Sequence, residues 1–198
     1  QPEEIDIDFD DWPVIRSSDA HSTDDLGERR TYIKMANPSF DGLKLAFRDP
    51  ESRITHEKAI FDHPFIEGIK WDGGFFDGRH LRLSQNLNAL IGGKGAGKST
   101  IIEHLRYAFD IDPIVSLRDE HESLIKSTLS PSGEIEVHVS IPNEAEYAIR
   151  REYGEKPQIY SRDGVEVPLN MEQFREEYFD IAVYSQKEFI ELARDDRS

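Results

Sequence analysis

Cysteine is absent from the 198-residue chain. No disulfide framework and no cysteine-ligated zinc can hold it together, which argues against a small secreted fold stapled by crosslinks. No apolar run approaches the roughly 20 residues that a spanning helix needs. The start, Gln1-Pro2-Glu3-Glu4, is acidic, with no apolar stretch for a signal peptide and no initiator Met. A cytoplasmic chain without membrane contact, cut or processed from something longer, is the expectation. Positive charge is also in short supply: 24 basic against 40 acidic residues leave a net charge of −16. Long-range attraction of the whole surface to nucleic acid is thereby excluded, and any such contact needs a local basic patch.

What remains suits a folded protein, with 37% hydrophobic and 10% aromatic residues. The chain reads as two regions, 1–60 and 61–198. In the first, Val14-Ile15 reads as a buried strand end before the polar turn Ser17-Ser18-Asp19-Ala20-His21. Ser39 is placed to cap a helix carrying Phe40, Leu43, Ala46 and Phe47 on one face, ended by Pro50. The stretch from Asp49 to about Pro64 reads as a linker. The run Asp6, Asp8, Asp10, Asp11 reads as a solvated acidic edge.

From Phe65 the pattern turns to strands. Ile66–Trp71 and His80–Ser84 flank the turn glycines Gly73, Gly74 and Gly78. Leu87–Ile91 reads as a third strand, followed by a glycine loop and a helix from Lys98 to Phe109. A second helix is expected over Ser116–Leu129, with Ser116 and Asp119 as a capping box. Ile135, Val137, Val139 and Ile141 then alternate with polar residues, the period of a half-buried strand. Pro142-Asn143-Glu144 turns the chain into Tyr147–Tyr153. Asp163-Gly164 marks a hairpin between Gln158–Tyr160 and Val165–Val167. A helix over Met171–Tyr178, a buried strand Ile181–Tyr184 and a last helix complete the reading. The scattered His80, His104, His121 and His138 read as surface or strand-face residues.

Gly92-Gly93-Lys94-Gly95-Ala96-Gly97-Lys98-Ser99 fits G-x-x-x-x-G-K-[ST] at every fixed position. Glycines let successive backbone N–H groups turn inward onto phosphate oxygens. Lys98 has the reach for β- and γ-phosphates, and the Ser99 hydroxyl suits Mg²⁺. Thr100 continues into a helix whose N-terminus favours anions. The motif points to a nucleoside triphosphate, with ATP and Mg²⁺ the expected pair and Lys98 the catalytic cation. Trp71 or Phe75 could stack on the base.

An antiparallel meander, about Glu134 to Val167, separates the loop's helix from the next buried strand, and two antiparallel strands precede the loop. With Leu87-Asn88-Ala89-Leu90-Ile91 before the loop and Ser99-Thr100-Ile101-Ile102-Glu103 after it, this resembles the N-terminal lobe of an ABC-type ATPase head of the SMC, RecF and RecN kind. Val183-Tyr184-Ser185-Gln186 resembles that family's Q-loop. The resemblance implies an α/β P-loop NTPase fold with a mixed sheet and an antiparallel meander. It also implies that Gln186 contacts Mg²⁺ or its water. An ABC signature and a Walker B strand are not found; Pro131 stands where a signature glycine pair belongs. In the family those parts come from a C-terminal lobe and a second head, as in a homodimer. The resemblance therefore implies a chain that alone is incomplete for hydrolysis, in a protein serving nucleic-acid repair, processing or defence.

Ser18-Asp19-Ala20-His21, followed by Tyr32-Ile33-Lys34, Phe40-Asp41-Gly42-Leu43 and Asp49-Pro50-Glu51-Ser52-Arg53, resembles the last metal-binding motif of PHP-domain phosphoesterases. Together the chain is similar to PHP-associated SMC-like ATPases of the TrlF type. That implies the tail of a PHP domain plus linker over 1–60 and an ATPase lobe over 61–198. Asp19 and His21 would be ligands for Mn²⁺ or Zn²⁺ in a completed site. Two other readings stand beside the ATPase lobe: a metal-dependent phosphoesterase regulated by the ATPase, and a non-hydrolysing nucleotide-sensing module that signals through assembly.

Overall fold

The computed structural model describes residues 13–58, 62–129, 131–142 and 145–195. The acidic run Asp6 to Asp11 and the turn residues Asn143 and Glu144 lie outside them. The chain divides into two compact units, Gln1–Ile60 and Phe61–Ser198.

In the first unit, α1 (Phe40–Arg48) starts where the sequence places it. Ser39 is extended and its Oγ accepts from the Gly42 N–H at 3.1 Å, satisfying one of the helix's orphan donors. Ala46 alone of its apolar face is buried, while Phe40 stays exposed. Pro50 ends α1 and also opens a second short helix, α2 (Pro50–Arg53), because its fixed φ and missing N–H suit a first helical position. The expected linker is therefore partly ordered: α2 runs into a strand, Ile54–Thr55, that pairs antiparallel with Tyr32–Ile33. These are β2 and β1 respectively. Val14 and Ile15 form no buried strand; both are exposed. Their segment is held instead by Thr31, whose Oγ1 accepts from the Arg16 N–H at 2.7 Å and donates to the Arg16 carbonyl at 2.9 Å.

The second unit is built on six strands. These are β3 (Phe65–Asp72), β4 (His80–Arg82), β5 (Glu134–Ser140), β6 (Glu146–Glu152), β7 (Gln158–Ser161) and β8 (Glu166–Val167). Their order is β4-β3-β5-β6-β7-β8, and every pairing is antiparallel. Period-two alternation sends one set of side chains inward. Ile69 faces Val137, Val137 faces Ile149, Ile149 faces Ile159 and Ile159 faces Val167, so one apolar row crosses five strands. Helices α3 (Lys98–Ala108), α4 (Arg118–Leu129) and α5 (Met171–Glu177) cover that face. They contribute Ala108, Ile125, Leu129, Met171 and Phe174 to a single core with the strand residues. Each of the larger side chains contributes about 1.5–3 kcal/mol by leaving water. A last helix, α6 (Gln186–Asp195), follows.

In this unit two more strands expected from the sequence do not form, and the expected mixed sheet is an antiparallel one among the described residues. Leu87–Ile91 joins no ladder, and Leu87 and Ile91 are 96% and 94% exposed. Local side-chain bonding wins there: the Asn88 carboxamide accepts from the Ser84 N–H at 2.8 Å and donates to the Ser84 and Asn86 carbonyls at 2.9 and 2.8 Å. Ile181–Tyr184 likewise joins no ladder. Helix α4 begins at Arg118, not Ser116, which sits inside a 3₁₀ turn over Val115–Leu117.

Candidate nucleotide site

The glycine loop closes by a turn in which the Ala96 N–H donates to the Gly93 carbonyl at 3.3 Å. Gly95 and Gly97 have φ of 80° and 86°, left-handed values costly to any residue with a Cβ. Gly97 is doubly required, since a Cβ there would stand 2.8 Å from the Phe76 ring. Gly97 is the N-cap of α3, so the helix's free N–H groups open directly onto the loop.

Lys94 to Thr100, with Phe75, Thr128 and Gln186, line a cavity of about 450 Å³. The structure thus gathers Lys94, Gly95, Ala96, Gly97, Lys98, Ser99, Thr100 and Gln186 around one space. Gly92 and Gly93 do not line it, but they hold the catalytic candidate: Lys98 Nζ donates to their carbonyls at 2.7 and 2.8 Å. Ser99 and Gln186 also line a second, smaller cavity of about 150 Å³ together with Glu103 and His121. A hydroxyl and a carboxamide oxygen are hard donors suited to Mg²⁺. With seven successive residues curling around the space, this donor set fits a magnesium-bound polyphosphate.

Trp71 is not available to a base. It is 4% exposed and its indole N–H donates to His104 Nδ1 at 2.9 Å. Phe75, exposed and on the cavity wall, is. The expectation that the scattered histidines are surface residues fails for His104, which is fully buried. Since Nδ1 accepts from the indole, Nε2 carries the proton and donates to Thr128 Oγ1 at 2.8 Å; that hydroxyl in turn donates a hydrogen bond to the Leu124 carbonyl at 2.7 Å. Burial, aided by the nearby His121 charge and opposed by Glu103, lowers the His104 pKa to about 4. The chain of bonds runs through Thr128 on the cavity wall, and Phe76 packs 4.9 Å from Trp71 and 5.7 Å from His104. Neither Thr128 nor Phe76 carries a sequence signal, because both reach the loop only through the fold.

Gln186 is the first residue of α6. Ser185 and Glu188 form a reciprocal cap around it: Glu188 Oε2 accepts from the Ser185 N–H at 2.6 Å, and Ser185 Oγ accepts from the Glu188 N–H at 3.3 Å. The S-x-x-E spacing is that of a capping box, a local signal that the sequence-based expectations do not draw on.

Asp19 and His21 lie in the first unit. They are 4.0 Å apart with both side chains almost wholly exposed. Among the described residues no group of three or more potential ligands could hold a metal ion. Two exposed side chains do not fit a resident Mn²⁺ or Zn²⁺.

A protein-family profile described as an AAA domain matches residues 72–196, more than half of the chain. The chain belongs to the AAA domain family. The AAA domain match contains the glycine loop, α3 and Gln186, and supports a nucleotide-binding ATPase-type function. It leaves residues 1–71 outside. No curated protein matches the chain. Among the described residues of this AAA domain protein, no helix is long and apolar enough to cross a membrane.

Proposed function

We propose that this chain is the ATP- and Mg²⁺-binding lobe of an SMC-like ATPase head. The observation that carries the reading is the single cavity of about 450 Å³ shared by Lys94–Thr100 and Gln186. Backbone N–H groups of the loop and the first turn of α3 would receive the β- and γ-phosphate oxygens. The Lys98 ammonium would exchange the Gly92 and Gly93 carbonyls for phosphate. Ser99 and Gln186 would hold the cation, which when bound supplies charge neutralisation at the γ-phosphate. Phe75 would stack on the base.

No described residue in the cavity is an acid placed to activate water, and the proposal assigns that group, with the opposing γ-phosphate contacts, to a C-terminal lobe and a second head. The cytoplasmic role in nucleic-acid repair, processing or defence is part of the same proposal and rests on the family resemblance. Calorimetry with Mg²⁺–ATP tests it. The chain should bind ATP, Lys98→Ala should weaken binding at least about tenfold, and turnover by the chain alone should be close to background. Unchanged affinity in Lys98→Ala rejects the site.

A further inference from the structure

Two ionised side chains are buried together between α3 and the segment that carries Gln186. Arg106 is 1% exposed and Glu188 3% exposed, and Arg106 Nη2 donates to Glu188 Oε2. Their remaining bonds go to connecting segments. Arg106 donates to the Val183 carbonyl at 3.0 Å and the Asp112 carbonyl at 3.3 Å. Glu188 accepts from the N–H groups of Ser185 at 2.6 Å and Ile114 at 3.1 Å. Arg106 Nε lies 3.1 Å from Glu103 Oε2, and the same Glu103 oxygen is 2.6 Å from His121 Nδ1 on α4. Burial alone would raise the Glu188 pKa; the Ser185 and Ile114 N–H groups and the Arg106 charge override it and hold it below the usual carboxylate range.

The spacing on α3 gives this cluster a direction. Ser99, Glu103 and Arg106 stand at i, i+4 and i+7, one face of a helix. Ser99 at one end borders the phosphate-loop cavity, and Arg106 at the other grips the cap that encloses Gln186. An apolar pair of similar volume would stabilise such an interface as well or better. What charges add is direction: each hydrogen bond fixes one backbone position, Val183 and Ser185 just before Gln186 and Asp112 and Ile114 on the segment after α3. We propose that Arg106 and Glu188 are positioning residues that hold Gln186 in register with Ser99, so that the two oxygen donors meet one divalent cation. This rests on the ATP–Mg²⁺ reading of the site and deepens it.

The test measures ATP affinity by calorimetry in Mg²⁺ and in EDTA; the ratio of the two is the cation dependence. Arg106→Met/Glu188→Met should remain folded by thermal melt and keep its affinity in EDTA, while its cation dependence falls about tenfold, the scale seen when groups supporting a metal ligand are lost. Glu188→Gln should lose part of that dependence, and Arg106→Lys, which keeps the charge, should recover much of it. Adding Gln186→Ala to the Met pair should cost no further cation dependence, because both act through the same contact. Full cation dependence in the Met pair, equal losses in Mg²⁺ and EDTA, or additive losses with Gln186→Ala each overturn the proposal. If Lys98→Ala abolishes binding while the Met pair behaves as wild type, the positioning role fails alone. If the wild-type chain binds no ATP, the site reading fails and takes this inference with it.

Discussion

Single side chains set the pH response. His104 is neutral in the fold, with a pKa lowered to about 4 against about 6.5 when unfolded. Below 6.5 the unfolded chain binds the extra proton first, so stability is full at neutral pH and falls between about 6.5 and 4. The loss is on the order of 3 kcal/mol. Denaturant melts across that range should show it, and His104→Gln should flatten the slope. Glu136 behaves in the same direction at lower pH. Burial alone would raise its pKa, but hydrogen bonds from Lys70 at 2.9 Å, Arg150 at 2.5 Å and His138 at 2.5 Å bring it to about 2. Its contribution is present above the unfolded value near 4.5 and is lost as pH falls toward 2, so Glu136→Gln should lower the melting temperature at pH 7 and change little at pH 2. Neither behaviour was readable in advance. His104 sits in a helical run that gives no sign of Trp71, a residue 33 positions earlier, and Glu136 meets Lys70 only through strand register.

Among the elements, those with local signals were legible and those needing distant partners were not. The alternation from Ile135 to Ile141, the Asp163-Gly164 turn and the Ser39 cap all appear where their residues place them. The glycine loop followed by α3 was equally plain, since every part of that motif lies within nine residues. Leu87–Ile91 has strand composition but joins no ladder, and a strand exists only with a partner. The cap of α5 is local too: the Asn170 side chain accepts from the Gln173 N–H at 2.9 Å and the Gln173 side-chain oxygen accepts from the Asn170 N–H at 3.2 Å. Asn170→Ala should therefore cost about 1 kcal/mol in chemical denaturation, with ATP affinity unchanged. A larger cost is expected at Gly133, where a Cβ would overlap the Leu129 carbonyl oxygen at the end of α4. Gly133→Ala should displace that helix end or the start of β5, lowering stability by more than the ordinary surface substitution.

At the scale of the molecule, a net charge of −16 makes self-repulsion a general term. Raising salt from about 10 mM to about 150 mM shortens the screening distance from roughly 30 to 8 Å, so the melting temperature should rise over that range. Leu87 and Ile91 stand nearly free of the fold on the approach to the loop. Leu87→Ser/Ile91→Ser should leave the melting temperature of the chain within about 1 °C, and, on the proposal of a C-terminal lobe, should prevent the chain from joining that lobe when the two are co-expressed. The bonds from Lys98 to Gly92 and Gly93 carry a consequence for selectivity. An ammonium already solvated by two carbonyls of its own loop gives them up most readily to an anion that makes several contacts at once. A lone monophosphate offers too little to pull it free, whereas adjoining phosphates, gripping amides and ammonium at once, offer enough. On the proposed ATP site, the loop should therefore bind ATP at concentrations where AMP shows no binding by calorimetry.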